Sequence, residues 1–199
     1  MRKIKHRYDG IEYYNCNSFK LNFKDVFSLK YLYKLMHEWL KENNYDPGDS
    51  KFGEVYYMHK EDAKGGKNIT IRWRLSKTPD DSSKLFKYDL DIDFIILGLK
   101  EVEVPFKNKK IQADKGEVEI QCKGNLIMDP NNVWEKNKWL KPFKKFIIYK
   151  FLRNRYDSHR FEVYGDVEQL QEVIKNYFQI PSYGMDVQFS EFWNKNFSE

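Results

Sequence analysis

Between Trp134 and Arg160 the chain carries nine cations: Lys136, Lys138, Lys141, Lys144, Lys145, Lys150, Arg153, Arg155 and Arg160. Only two acids, Glu135 and Asp157, accompany them. Trp134, Trp139, Phe143, Phe146, Tyr149, Phe151 and Tyr156 are interleaved with the charge. The segment has a net charge of +7 in a chain whose total is +5, leaving −2 for all other residues. Residues 162–199, with seven acids and two lysines, stand at −5. Such asymmetry speaks to partners rather than to fold. Basic residues near an anionic membrane surface contribute about 1 kcal/mol each, and aromatics at the boundary add to that. The same residue types grip nucleic acid, with cations on phosphates and rings on bases. A protein partner is the third option. The binding residues selected on this reading are Lys138, Lys141, Lys144, Lys145, Arg153, Arg155 and Trp139.

A plainer reading competes with it. On a helical wheel Trp139, Leu140, Phe143, Phe146, Ile147 and Phe151 share a broad face, and Lys141, Lys144, Lys145 and Arg155 gather opposite. A core helix with a solvated basic back has this pattern, its lysine stems lying over apolar neighbours. Ile148, Lys150 and Leu152 sit on the wrong sides, so the amphipathicity is untidy. The acidic C-terminal stretch supplies charge that could neutralise the segment within the molecule.

Acids recur at strand spacing. Asp89, Asp91 and Asp93 share one face of any strand that holds them, as do Glu101 with Glu103 and Glu117 with Glu119. Arg72 and Arg74 repeat the spacing on a neighbouring candidate strand. Alternating carboxylates can hold a divalent metal through oxygen, and alternating arginines can hold a polyphosphate. Over residues 72–121 this resembles the triphosphate tunnel metalloenzymes, with their ExExK and arginine-rich strands. The resemblance implies a metal-dependent phosphohydrolase in which Asp91, Asp93, Glu117 and Glu119 converge. The pattern departs from the family where its lysine belongs: Val104-Pro105 and Ile120-Gln121 follow the acids here. The plain alternative is a solvated sheet face laced by cross-strand ion pairs.

Other motifs are weaker. His6, His37, His59 and His159 are scattered, and His37-Glu38 lacks the second histidine of HExxH. Lys64-Gly65-Gly66-Lys67 lacks P-loop spacing and reads as a hairpin turn. Cys16 and Cys122 form no CxxC pair, which argues against a disulfide framework or zinc finger; Cys122 is expected on the inward face of a strand. No motif fixes a reaction or calls for a cofactor.

The elements that must position these residues follow from periodicity. Residues 11–23 alternate loosely as a first strand, and Asp25 reads as an N-cap. Leu29, Leu32, Tyr33, Met36, Trp39 and Leu40 form one face of an amphipathic helix, ended by Asn43-Asn44-Tyr45-Asp46-Pro47-Gly48. A strand is expected near 53–60. Ile69, Ile71, Trp73 and Leu75 alternate with polar neighbours, as do Phe86 through Ile96 and Val118 through Met128. Gly98 is expected to bend or bulge its strand. Pro79–Ser83 and Asn108-Lys109 read as turns or loops, and Asp129-Pro130 closes the sheet region. Helix resumes near Trp139 with Pro142 in its first turn. A further helix is expected to start at Asp166, where Gln169 completes a capping box and Pro181 marks the end. The aromatic tail, 182–199, is expected to dock.

These readings predict one α+β domain over residues 1–199: an antiparallel meander sheet packed on an N-terminal amphipathic helix and a long C-terminal helical segment. The element order is similar to the helix-grip arrangement of START-like proteins. That resemblance is one of order alone and carries no function. No apolar run reaches the roughly 18 residues of a spanning helix, and no apolar core follows the basic start as in a signal peptide. A soluble, cytoplasmic protein is the expectation. The leading functional expectation is a non-enzymatic binding or structural module acting through residues 134–160. A carrier of an apolar ligand in a sheet–helix cavity and the metal-dependent phosphohydrolase are the alternatives.

Overall fold

A computed structural model describes residues 12–45, 52–62, 65–79, 85–106, 109–133, 139, 141–143 and 146–179. Five strands form one antiparallel sheet: β1 (Glu12–Phe27), β2 (Glu54–Glu61), β3 (Lys67–Lys77), β4 (Phe86–Phe106) and β5 (Lys109–Met128). Their spatial order is β1-β5-β4-β3-β2, so a meander from β2 to β5 closes by pairing β5 with the first strand. Helix α1 (Leu29–Glu42) links β1 to β2, and helix α2 (Arg153–Phe178) follows the sheet. The α+β class and the meander are as the sequence predicts.

Both helices cover the same sheet face. Helix α1 lies over the β2–β3 half, where Tyr33 and Phe52 meet the Trp73 ring edge-on, each with centroids 4.9 Å apart. Helix α2 lies over the β1–β5 half, where Phe178 stacks on Phe23 at 4.3 Å and Tyr156 meets Tyr14 at 6.2 Å. The two-residue alternation delivers the core: Ile69, Ile71, Trp73 and Leu75; Phe86, Tyr88, Leu90, Ile92, Phe94 and Ile96; Val118, Ile120, Cys122, Leu126 and Met128 are all buried. Leu32, Met36, Trp39 and Leu40 of α1 close over them. Gly124 marks the closest approach of α2. A Cβ there would lie 2.5 Å from Val167 Cγ2 and 2.9 Å from Val163 Cγ1.

Several boundaries differ from expectation. Strand β1 runs on to Phe27 and takes in Asp25, so the α1 N-cap is Ser28, whose Oγ accepts from the Tyr31 N–H. A second acceptor comes from the neighbouring strand, because Asp114 Oδ2 on β5 takes the Leu29 N–H at 2.9 Å. A carboxylate at a helix N-terminus satisfies an orphan donor and meets the positive end of the dipole. Asp166 is no N-cap: α2 passes through it without a break. Here tertiary burial of Tyr156, His159 and Val163 extends the helix upstream of a local capping signal. Gly98 does sit at a register shift, between Leu97 and Lys100, with φ +62°. Asn108, the loop over residues 80–84, Pro181 and the tail 182–199 lie outside the described residues.

Candidate functional site

The segment ahead of α2 is not the continuous helix that the wheel implies. Lys141–Phe143 form one 3-10 turn, and Ile147–Phe151 form a wide turn of π type ending at Leu152. Regular helix begins only at Arg153. Four described residues of the apolar wheel face are therefore exposed instead of buried against the sheet. Trp139 is 86% exposed, Phe143 57%, Phe146 52% and Phe151 75%. Phe146 and Phe151 meet edge-on at 5.9 Å, and Lys150 Nζ lies 5.6 Å over the Phe146 ring. Arg153 and Arg155, in the first turn of α2, are exposed, and Arg153 approaches Asp157 at 3.9 Å. Thus Trp139, Arg153 and Arg155 are each exposed, Lys141 opens the 3-10 turn, and Lys138, Lys144 and Lys145 lie outside the described residues.

Among the acids of α2, Asp157 pairs with Arg153, while Glu162 and Asp166 are engaged with tyrosines on the sheet side. Tyr88 Oη donates to Glu162 Oε2 at 2.5 Å and lies 2.6 Å from His159 Nδ1. The phenol has one proton; with Glu162 receiving it, the second contact requires His159 Nδ1–H as donor. Tyr45 Oη donates to Asp166 Oδ2 at 2.7 Å, and Lys77 Nζ stands 3.6 Å from the same oxygen. Burial, reinforced by the Asp166 carboxylate, pushes the Tyr45 phenol well above its ordinary range. His159, read from sequence as one of four scattered histidines, is buried against Phe86, with ring centroids 4.5 Å apart. Its position three residues from Tyr156 and four from Val163, on the apolar face of one helix, was the available signal. This polar cluster anchors α2 to β3, β4 and the end of α1.

Asp89, Asp91 and Asp93 share the sheet face opposite the helices with Glu117 and Glu119, whereas the register shift after Leu97 turns Glu101 to the other face, where it meets Lys67 at 2.8 Å. Arg74 Nη2 meets Asp93 at 2.7 Å and Arg74 Nε lies 3.5 Å from Asp91, while Arg72 is 3.9 Å from Asp93. Lys20 holds Glu119 at 2.8 Å, and Lys24 stands 3.6 Å from Glu117. Among the described residues no group of three His, Cys, Asp or Glu side chains is placed to hold a metal. The convergence of Asp91, Asp93, Glu117 and Glu119 required for metal chemistry is therefore absent, and cross-strand ion pairs occupy their place. Beneath α2, Val163, Val167, Leu170 and Ile174 are fully buried, and Val163 and Val167 close on Gly124. An open cleft of about 400 Å³ lies instead beside the start of α1, with Tyr33, Tyr57, Ile69 and Leu99 among its walls. Among the described residues no helix is long and apolar enough to cross a membrane.

No family model matches this chain, and no curated protein matches it. Among solved structures, an uncharacterized protein from Rhizobium leguminosarum aligns at 6% identity over 81% of this chain and 97% of its own. Its TM-score of 0.17 is too low to carry any argument about fold or function.

Proposed function

We propose that this protein is a non-enzymatic binding module that docks on an anionic lipid surface through residues 139–155. The observation that carries the reading is the exposure of Trp139, Phe143, Phe146 and Phe151 in one short stretch that also exposes Lys150, Arg153 and Arg155. Four large rings held in water are an unusual surface feature, and contiguous apolar exposure rimmed by charge marks an interaction site. Irregular 3-10 and π turns interrupt the regular helix, and within them Lys150 lies over the Phe146 ring, which meets Phe151, so cation and rings stand together there. Phenylalanine and tryptophan suit the boundary between headgroups and acyl chains, and the cations suit the headgroups. The segment 134–160 carries nine cations against two acids, which supports attraction to an anionic surface.

Flotation of the full chain with vesicles tests this. Binding is expected with phosphatidylserine vesicles, not with pure phosphatidylcholine vesicles, and it should weaken as salt rises. The pair W139A/F151A and the pair K150Q/R155Q should each reduce binding about tenfold, since each removes roughly 1–2 kcal/mol of insertion or attraction. Absence of flotation at low salt refutes the reading. Retention of a single-stranded oligonucleotide under the same conditions, without flotation, reassigns the surface to nucleic acid.

A further inference from the structure

A second charged concavity lies at the other end of the molecule, on the sheet face away from the helices. It encloses about 670 Å³ where β1, β5 and β4 run together; its charged lining is Lys24, Asp25, Lys100, Lys115 and Glu117, with Leu97 and Val102 as apolar walls. Lys100 and Lys115 are direct cross-strand partners. Their Cα atoms are thus about 5 Å apart, with both side chains on one face. Like charges placed directly opposite destabilise a strand pair. Neither lysine has a carboxylate within ion-pair distance among the described residues, whereas Lys24 stands 3.6 Å from Glu117.

The register shift between Leu97 and Lys100 creates this juxtaposition. Gly98 adopts φ +62° there, a conformation that glycine takes without strain, and the two strands resume pairing at Lys100–Lys115. Leu97, the last residue before the shift, points outward by the two-residue alternation and is 49% exposed on the wall of the concavity. Elsewhere on the same face, cations and acids alternate across the strands, as at Arg74 with Asp91 and Asp93. At this end the pattern places two directly paired cations beside the exposed Leu97.

We propose that this concavity binds a phosphate monoester bearing an apolar substituent. A phosphate monoester carries close to two negative charges at neutral pH, its second ionisation lying near pH 6. That charge matches the two lysines left without a carboxylate. Lysines act on phosphate as mobile point charges and need no fixed fork geometry. Leu97 and Val102 then cover the substituent.

The test is titration of the full-length protein followed by amide NMR, with Leu97, Gly98 and Gly116 as reporters. Inorganic phosphate, phenyl phosphate, glycerol phosphate and succinate are the probes. Saturable shifts are expected with phenyl phosphate, about tenfold tighter than with inorganic phosphate, because the ring adds apolar burial. The double variant K100Q/K115Q should lose at least tenfold in affinity while keeping the unliganded spectrum elsewhere. K123Q, on the same sheet face outside the concavity, should bind as the parent does. Glycerol phosphate binding in solution supports a free phosphate ester as the source. Shifts seen only with phosphatidic acid vesicles, and lost in K100Q/K115Q, support a lipid headgroup. Succinate binding as tightly as phenyl phosphate overturns the phosphate assignment. Shifts that never saturate, or that survive the double substitution, overturn the site itself.

Discussion

Replacing Gly124 by alanine tests how closely α2 is seated. The added Cβ would stand 2.5 Å from Val167 Cγ2, 2.9 Å from Val163 Cγ1 and 3.6 Å from Leu90 Cδ2. Carbon atoms in favourable contact are about 3.5–4.0 Å apart, so the helix must retreat by about 1 Å or the valines must turn. Turning is disfavoured, because a helical valine has essentially one χ1 rotamer. Retreat opens the seam along Leu170 and Ile174, which have no exposure. Overpacking of this kind costs about 1–3 kcal/mol. Alanine offsets about 0.4–1 kcal/mol of that by restricting the unfolded chain. A net loss of about 1–2 kcal/mol is expected, read as a lower urea midpoint at unchanged slope. Val167→Ala alone should cost about 2 kcal/mol from the cavity it leaves. In the double variant the new methyl fills part of that space, so the two costs should fall short of additivity by about 1 kcal/mol. A G124A protein as stable as the parent, or strictly additive costs, refutes the close seating of α2 on β5.

The polar cluster under α2 predicts an order of effects. Tyr88→Phe takes away the hydroxyl shared by His159 and Glu162 and should cost about 1–3 kcal/mol, whereas Tyr45→Phe leaves Asp166 beside Lys77 and should cost about 1 kcal/mol; a larger cost for Y45F in chemical denaturation contradicts the geometry. Tyr177 predicts a pH effect. Its hydroxyl donates to the Ser28 carbonyl and accepts from the Ser28 N–H, and burial raises it from its ordinary value of 10.0 to about 12. The neutral form is the one the fold favours, so this contribution is complete below pH 10 and is lost as pH rises through about 12. It amounts to at most about 3 kcal/mol, and Tyr177→Phe should flatten the alkaline fall in thermal midpoint relative to the parent. Arg74→Gln should destabilise by about 2 kcal/mol, since Arg74 is half-buried and joins Asp91, Asp93 and the Trp73 and Ile92 carbonyls. Arg72→Gln, from a longer and more exposed pair, should change stability by less than about 0.5 kcal/mol, and equal losses in the two variants would count against this difference.

Sequence by itself determined the parts of the molecule that obey local periodicity. Two-residue alternation in β3, β4 and β5 and the apolar stripe of α1 name nearly all their core residues, because burial on one face leaves its mark at every second or every third to fourth position. The pairing of Arg72 and Arg74 with the aspartate row was legible for the same reason. Tertiary structure decided what depends on contacts distant in sequence. The start of α2 at Arg153 rather than Asp166 is set by what lies beneath Tyr156, His159 and Val163, and no local cap reports that. The meeting of Lys100 with Lys115 follows from a one-position register shift, invisible in either strand alone. The basic aromatic segment shows both sides. Its composition announced a charged, ring-rich segment, and the helical wheel left a binding surface and a core helix as competing readings. Only the fold shows that the helix breaks into turns there, leaving no regular face to bury, so the rings stand in solvent among the cations.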